Sequence, residues 1–411
     1  MHIAPPHSNN ISLVSEMEKC YKKEDEMKSL IFKLLMLLLV FLVLSECSNK
    51  RSGESNCPGC KPYDMGKYVG YNLAIDTNGD IFIPTDDTRS SAIGVTKLSP
   101  TAGIIKTYSL YPYVSTGINE VKIAIDMSGE IVVTSAPSPA YAVKLNQTGN
   151  IFGNSISIYP SSMVIDADGN ILVGGDLLTG ERGAYAGIGI IKLNSQGITI
   201  NTYSLGFSSS SYVTTTSGTF ISGAIPSLSD IAIDKPGNIW VSINTLNIPC
   251  TEAMTITQCA EAEYYTGTVM ELSSLGVTLQ TFTTDTQIGD IAIDPAGNIW
   301  ITNSDKGTIT KFNPNGMSLG TFDAGSYPSR VAIDQAGNIW ILNNTNMGMV
   351  TELSSNGTFI KKFGVGYYPT DIAIDAKGNV WVIVLSTVIE IPNVANGPQY
   401  FPYTGPQWPG G

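Results

Sequence analysis

Histidine is almost missing from this chain of 411 residues: there are two, His2 and His7, both within the first ten positions. Everything after them lacks the side chain that ordinarily serves as base and nucleophile-activator at neutral pH, which excludes a Ser-His-Asp arrangement from the body of the protein. Charged residues are scarce at 14%. No long basic run follows Arg51, so a surface for nucleic acid is not expected. After Cys47 there are 18 basic against 29 acidic residues, and seven of those acids belong to a repeated motif, so much of the negative charge is architectural. The longest apolar run, Leu34 to Leu44, is too short to cross a bilayer as a helix.

That run has a different reading. Lys28 and Lys33 lead into it, as in an export signal, and Ser45-Glu46-Cys47 ends it. Five acidic residues lie between positions 16 and 26, where a signal carries net positive charge. The natural start is therefore expected at Met27, with residues 1–26 an upstream extension and 27–47 the signal. The ending resembles a bacterial lipobox, which implies lipidation of Cys47. Glu46 departs from that pattern, so ordinary cleavage and a retained anchor stay open. A polar linker with Gly and Ser is expected over 48–63, suited to a tether.

What is abundant is glycine (41 residues) with Ser, Thr and Asn, the composition of short strands and tight turns. One segment recurs seven times: NLAIDTNGDIFIP, KIAIDMSGEIVVT, SMVIDADGNILVG, DIAIDKPGNIWVS, DIAIDPAGNIWIT, RVAIDQAGNIWIL and DIAIDAKGNVWVI. Its aspartates are Asp76, Asp126, Asp166, Asp234, Asp294, Asp334 and Asp375. A repeat of about 40 residues built from short strands predicts a β-propeller. The expectation is an all-β fold of seven four-stranded blades over 64–405, six blades being the alternative, with 406–411 as a tail. Strand A ends in Ile-Asp, and the Asp carboxylate can accept N–H groups of the A–B turn, while its Gly supplies positive φ. Trp240, Trp300, Trp340 and Trp381 share one register on strand B; Phe82, Val132 and Leu172 hold it in the first three copies. A large ring there should pack between blades. The last blade reads as completing itself through STVIEIPN and then PQYFPY. Ring closure predicts that one terminus lends a strand to the other's blade.

These residues resemble the NHL-repeat and streptogramin B lyase-like propellers. The signature [IV]-A-I-D-x-x-G-N-[IV]-W is specific for fold and weak for activity, since such propellers include lyases, lactonases and binding proteins. The resemblance implies a catalytic His in the lyases, which no position after residue 7 can supply. Gluconolactonase-type relatives imply a metal held by Glu, Asn and Asp, but their early Glu-Gly-Pro segment is not found.

Extra length falls at 176–186, 244–266 and 206–229, all in B–C or D–A connections, which share one face. The functional surface is expected on loops there. Cys250 and Cys259 lie in the second insertion, where an exported protein would form a disulfide. Cys57 and Cys60 form a CxxC, read first as a local disulfide, with a redox pair or zinc half-site as rivals. The residue four before each motif Asp should surround the channel mouth: Asn72, Lys122, Ser162, Asp230, Asp290, Arg330 and Asp371. Asp230, Asp290 and Asp371 could hold a polar ligand or a cation such as Ca²⁺ or Mg²⁺; the bland reading is a solvated rim with Arg330 neutralising its neighbours. Asp166-Ala-Asp168-Gly faintly resembles a calcium loop, with the turn reading preferred. Sequons stand at Asn146, Asn343 and Asn356.

Three functional readings follow. The first is an exported monomer binding a protein, glycan or small ligand. The second is a metal-dependent lyase or lactonase using channel-mouth carboxylates. The third is a structural envelope component.

Overall fold

Strand A of each copy ends at a tight hairpin because the motif Asp stops it. Asp294 shows how: its Oδ1 accepts the N–H groups of Ala296 and Asn298 at 3.0 and 2.8 Å, and Gly297 takes φ +84°. The same pair of turn bonds recurs at Asp76, Asp126, Asp166, Asp334 and Asp375. At Asp166 this use of the carboxylate supports the turn reading over a calcium loop. The second oxygen has a partner chosen by strand B. In blades 4 to 7 the indole N–H of Trp240, Trp300, Trp340 or Trp381 donates to it. In blades 1 to 3, where that residue has no N–H, Lys97, Lys144 or Lys192 of strand C pairs with it.

Alternation along the strands does the rest. In the computed structural model, which describes residues 61–393 apart from short internal stretches (the longest 111–120), the described residues form seven antiparallel sheets. They are the blades of a seven-bladed β-propeller. Blade 5 is representative: A, Ile288–Ile293; B, Ile299–Asn303; C, Thr308–Phe312; D, Ser318–Asp323. Strand B is buried along its whole length, as a strand packed on both faces must be. Each Trp leaves its own sheet and enters the core of the next. Trp300 packs with Val331, Ile339 and Ile341 of blade 6, Trp340 with Val380 and Val382 of blade 7, and Trp381 with Leu73, Ile81 and Ile83 of blade 1. The seams thus run around the ring without a break between the last blade and the first.

Closure corrects one expectation. The outer strand of blade 7 is Lys61–Asp64, paired antiparallel with Thr387–Ile391. The N-terminal segment supplies it, so the propeller begins three residues earlier than the sequence implied and the linker is shorter. PQYFPY lies outside the described residues, as do the signal, Cys47, Cys57 and Cys60.

The insertions are strands where loops were expected. In blade 4 strand A runs over Gly218–Ile233 and strand B over Ile239–Ile248, and Ser210–Thr215 adds a fifth strand along the axial edge of the extension. Their length lets the backbone pair with itself above the ring instead of with water. A short helix, Ile256–Glu261, caps the extension, with Thr255 and Gln258 forming a capping box. Cys250 and Cys259 are joined by a disulfide and buried with Ile248, against Ile225, Leu246 and Met254. Blade 3 is likewise extended, with B over Ile171–Thr179 and C over Ala184–Leu193.

Candidate functional site

Two sets of side chains on the insertion side of the propeller could act on a ligand. The first is the axial ring. In five blades the register slips just at the ring position: Pro160/Ser162, Leu228/Asp230, Ile288/Ile291, Pro328/Arg330 and Pro369/Asp371. A bulge bends the strand and re-aims a side chain. The N–H groups it frees at Asp230 and Asp290 donate to Ser242 Oγ (3.0 Å) and Thr302 Oγ1 (2.9 Å) of strand B.

The ring side chains do converge, and most are spent on one another. Asp371 Oδ2 accepts from Asn72 Nδ2 (3.1 Å) and from the N–H of Leu73 (2.8 Å). Asn72 Oδ1 accepts from the N–H of Ile123, Ser162 Oγ from that of Ile231, and Asp290 Oδ2 from that of Val331 (2.6, 3.3 and 2.7 Å). In each case the acceptor belongs to one blade and the N–H follows the ring position of the next. Ser162 also donates to Asp230, and Arg330 Nε lies 3.7 Å from Asp371 Oδ1. Asp290, Asp371 and Ser162 are buried. Asn72, Lys122, Asp230 and Arg330 are half-buried, so the ring is partly exposed, and several of its members act as inter-blade clasps because the bulge turns them toward neighbouring backbone.

Electrostatics follow from that burial. Burial, reinforced by the Asp230 carboxylate and a hydrogen bond with it, pushes Asp290 well above the usual carboxylate range. Burial also raises Asp371, although Arg330, the N–H groups of Leu73 and Ile372, and Lys122 pull the other way. Burial, with Arg330 nearby, lowers Lys122. Lys122 and Arg330 supply the positive charge that a cation would bring, and no cluster of three His, Cys, Asp or Glu with metal-holding geometry occurs among the described residues.

The second set is aromatic and was not singled out from the sequence. Tyr327 and Tyr368 precede Pro328 and Pro369 in successive D–A connections, with φ +49° and +50° and exposures of 65% and 51%. Left-handed backbone is uncommon for a bulky residue and is kept only where neighbours impose it. Here Asn344 N–H donates to Tyr327 O (3.0 Å), and Tyr368 N–H to Thr345 O (3.3 Å). Tyr185, Tyr264 and Tyr265 stand exposed where strand C begins in the extended blades, on the same side as those connections. The repeated Tyr-Pro, in SYPSRVAID and YYPTDIAID, was the signal that could have found the first pair. Of the sequons, Asn343 is buried, with Nδ2 bonded to two carbonyls, and so is closed to modification.

The fold and site define a seven-bladed propeller with a hydrogen-bonded polar axis and a tyrosine-bearing face. No family model matches the chain, and no curated protein matches it. Among solved structures it is similar to virginiamycin B lyase from Staphylococcus aureus, at 13% identity over 80% of this chain and 98% of that one, TM-score 0.57. It is also similar to a streptogramin B lyase, at 15% identity over 80% and 96%, TM-score 0.57. A catalytically inactive variant of the S. aureus enzyme with quinupristin gives 13% identity over 81% and 99%, TM-score 0.57. The architecture is that of the streptogramin B lyase-like propellers; at these identities the likeness carries the fold alone.

Proposed function

We propose that this protein is an exported binding propeller, lipid-anchored or secreted, that takes a protein, glycan or small ligand on the face bearing the B–C and D–A connections. The observation that carries the reading is the pair Tyr327 and Tyr368, held in left-handed backbone and exposed at equivalent places of adjacent blades. Strain retained at two matched surface positions, with large amphipathic rings presented to solvent, is the pattern of recognition anchors. The built-up blade 4 borders the same face, and its disulfide supports an oxidising location. The axial carboxylates serve as internal clasps, so the ligand is met by the tyrosines.

The test uses protein processed by a bacterial host expressing the full chain. A lipid-modified Cys47, or an N-terminus just after the signal, supports export; an unprocessed chain in the cytoplasm overturns it. That material is then applied to glycan and peptide arrays beside a Tyr327→Ala/Tyr368→Ala double variant. Binding by the wild type that falls about tenfold or more in the variant is expected. Binding that the variant retains in full, or none by the wild type, sinks the reading.

A further inference from the structure

The seam between blades 4 and 5 is apolar near the axis and polar further out. Inside, Trp240, Val269, Ile299, Ile301 and Phe312 pack together, and the rings of Phe282 and Phe312 lie 4.7 Å apart. Beyond Phe312 the apolar filling stops, and a groove of about 790 Å³ opens. Thr308 and Thr310 share the strand face of Phe312, Thr321 stands opposite Thr310, and Thr284 reaches in from blade 4. The cross-strand counterpart of Thr310 is Met270 in blade 4 and Ile389 in blade 7, both buried apolar side chains. Blade 5 has a hydroxyl there, as blades 6 and 1 have in Thr351 and Thr96, but those two are buried whereas Thr310 is half-buried at the groove.

Asn303 lies at the base of this groove. It is 3% exposed, its Nδ2 donates to Thr308 Oγ1 and Thr310 Oγ1 (2.8 and 2.9 Å), and its Oδ1 has no partner. The equivalent Asn343 of blade 6 is fully engaged. Its Nδ2 donates to the carbonyls of Ala324 and Ser326, and its Oδ1 accepts from Thr351 Oγ1 at 3.0 Å. In blade 6 the preceding D–A connection folds onto the Asn. In blade 5 that connection is tied elsewhere: Thr286 donates to the Asp305 carboxylate, and Asp285 pairs with Lys306 at 2.7 Å. The same side chain is thus fully bonded in one seam and left one partner short in its neighbour.

The wall is made of hydroxyls that can both donate and accept, with Thr310 and Thr321 already 3.0 Å apart in one such bond. Its two charges neutralise each other, and an aromatic ring bounds the inner end. A phosphate or carboxylate finds no free cation here, and an apolar ligand would strand the hydroxyls. We propose that the groove between blades 4 and 5 binds a neutral sugar of one or two rings, with Asn303 and Thr310 as its polar anchors. The volume suits a ligand of that size. The proposal stands apart from the tyrosine-bearing surface.

The test is calorimetric titration, with ligand-observed NMR, of the mature protein against glucose, galactose, mannose, N-acetylglucosamine and the β-1,4-linked disaccharides of glucose and N-acetylglucosamine, up to about 10 mM. At least one should bind. Thr310→Val, which keeps the shape, and Thr308→Met, which introduces the side chain blade 6 carries there, should each weaken it about tenfold or more. Tyr327→Ala/Tyr368→Ala should leave it unchanged, so failure here and failure of the tyrosine reading are separate results. Sugars that bind free in solution point to a solute; sugars that bind only as conjugates on the array point to a glycosylated partner. No binding by any of them in either form, or full binding by both threonine variants, overturns the proposal.

Discussion

Strand A carries two polar positions four residues apart, and the chain treats them in opposite ways. At the hairpin corner all seven blades have aspartate. At the axis the blades carry Asn72, Lys122, Ser162, Asp230, Asp290, Arg330 and Asp371, five residue types in seven places. The corner aspartate is satisfied mainly within its own blade, by turn N–H groups and an indole or lysine, so every blade can use one solution. The axial residue is satisfied by the next blade, so its identity depends on its neighbour. Identical side chains mark where the repeat is autonomous. Varied ones mark where the blades must fit one another.

The largest expected effect breaks the axial set. Asp371→Ala strips the N–H of Leu73, the amide of Asn72 and the charge of Arg330 of one shared partner. Removing one member of a buried, hydrogen-bonded charge group should cost about 3–5 kcal/mol. Asp334→Ala at a corner removes turn and indole bonds in a more solvated place and should cost about 1–2 kcal/mol. Denaturant unfolding measures both. Equal losses would mean that the axis has no special role in holding the ring together.

Acid titration sharpens the same contrast, because the two kinds of aspartate should give slopes of opposite sign. Asp290 is raised in the folded protein, so the folded state keeps a proton that the unfolded chain has released. Its contribution is full below the ordinary value of 3.8 and is lost as pH rises toward the raised value. Within that window stability falls by about 1.4 kcal/mol per pH unit. Asp294 behaves the other way. Burial alone would raise it, but the Asn298 side chain and N–H, the Trp300 indole and Lys311 together hold it below its ordinary value. Its contribution is full above 3.8 and is lost as pH falls through the depressed value. Asp290→Asn should flatten stability above pH 4 and Asp294→Asn below it, as measured by unfolding at stepped pH. A shared sign for the two variants would contradict the assignment of the axial proton.

Most of the fold was legible because the corner is a local device. Asp, Gly and Trp at fixed spacing specify a hairpin and the large ring beside it, and seven copies specify the number of blades. The closing strand was not legible, since Lys61–Asp64 is only four residues long and precedes the first copy of the motif. The blade 4 extension was read as loop, whereas Ser210–Thr215 pairs with Gly218–Gly223 at the start of strand A. The axial residues were picked out by counting back from the motif Asp. The burial of Ser162, Asp290 and Asp371 was not foreseen, because a bulge leaves no trace in a period-of-two pattern and an acceptor aimed at the next blade has no sequence neighbour to betray it. The groove was hidden for the same reason: Asn303 and Asn343 read alike, and only the path of the preceding connection separates them.

The smallest effect tests what kind of bond the axis is. Lys122 contributes charge to the ring, and burial with Arg330 nearby works against its protonated form. Its attraction to Asp371, Asp230 and Asp290 is therefore offset by desolvation and by a like charge. Lys122→Met, which keeps the apolar stem, should change stability at neutral pH by less than about 1 kcal/mol. It should still move the titration. Lys122 helps hold Asp371 down, so without it Asp371 rises further and the decline of stability with pH extends to higher pH. A neutral substitution that shifts the pH profile would show that the axis is held by directed hydrogen bonds and merely tuned by charge. A loss as large as that of Asp371→Ala would show the reverse.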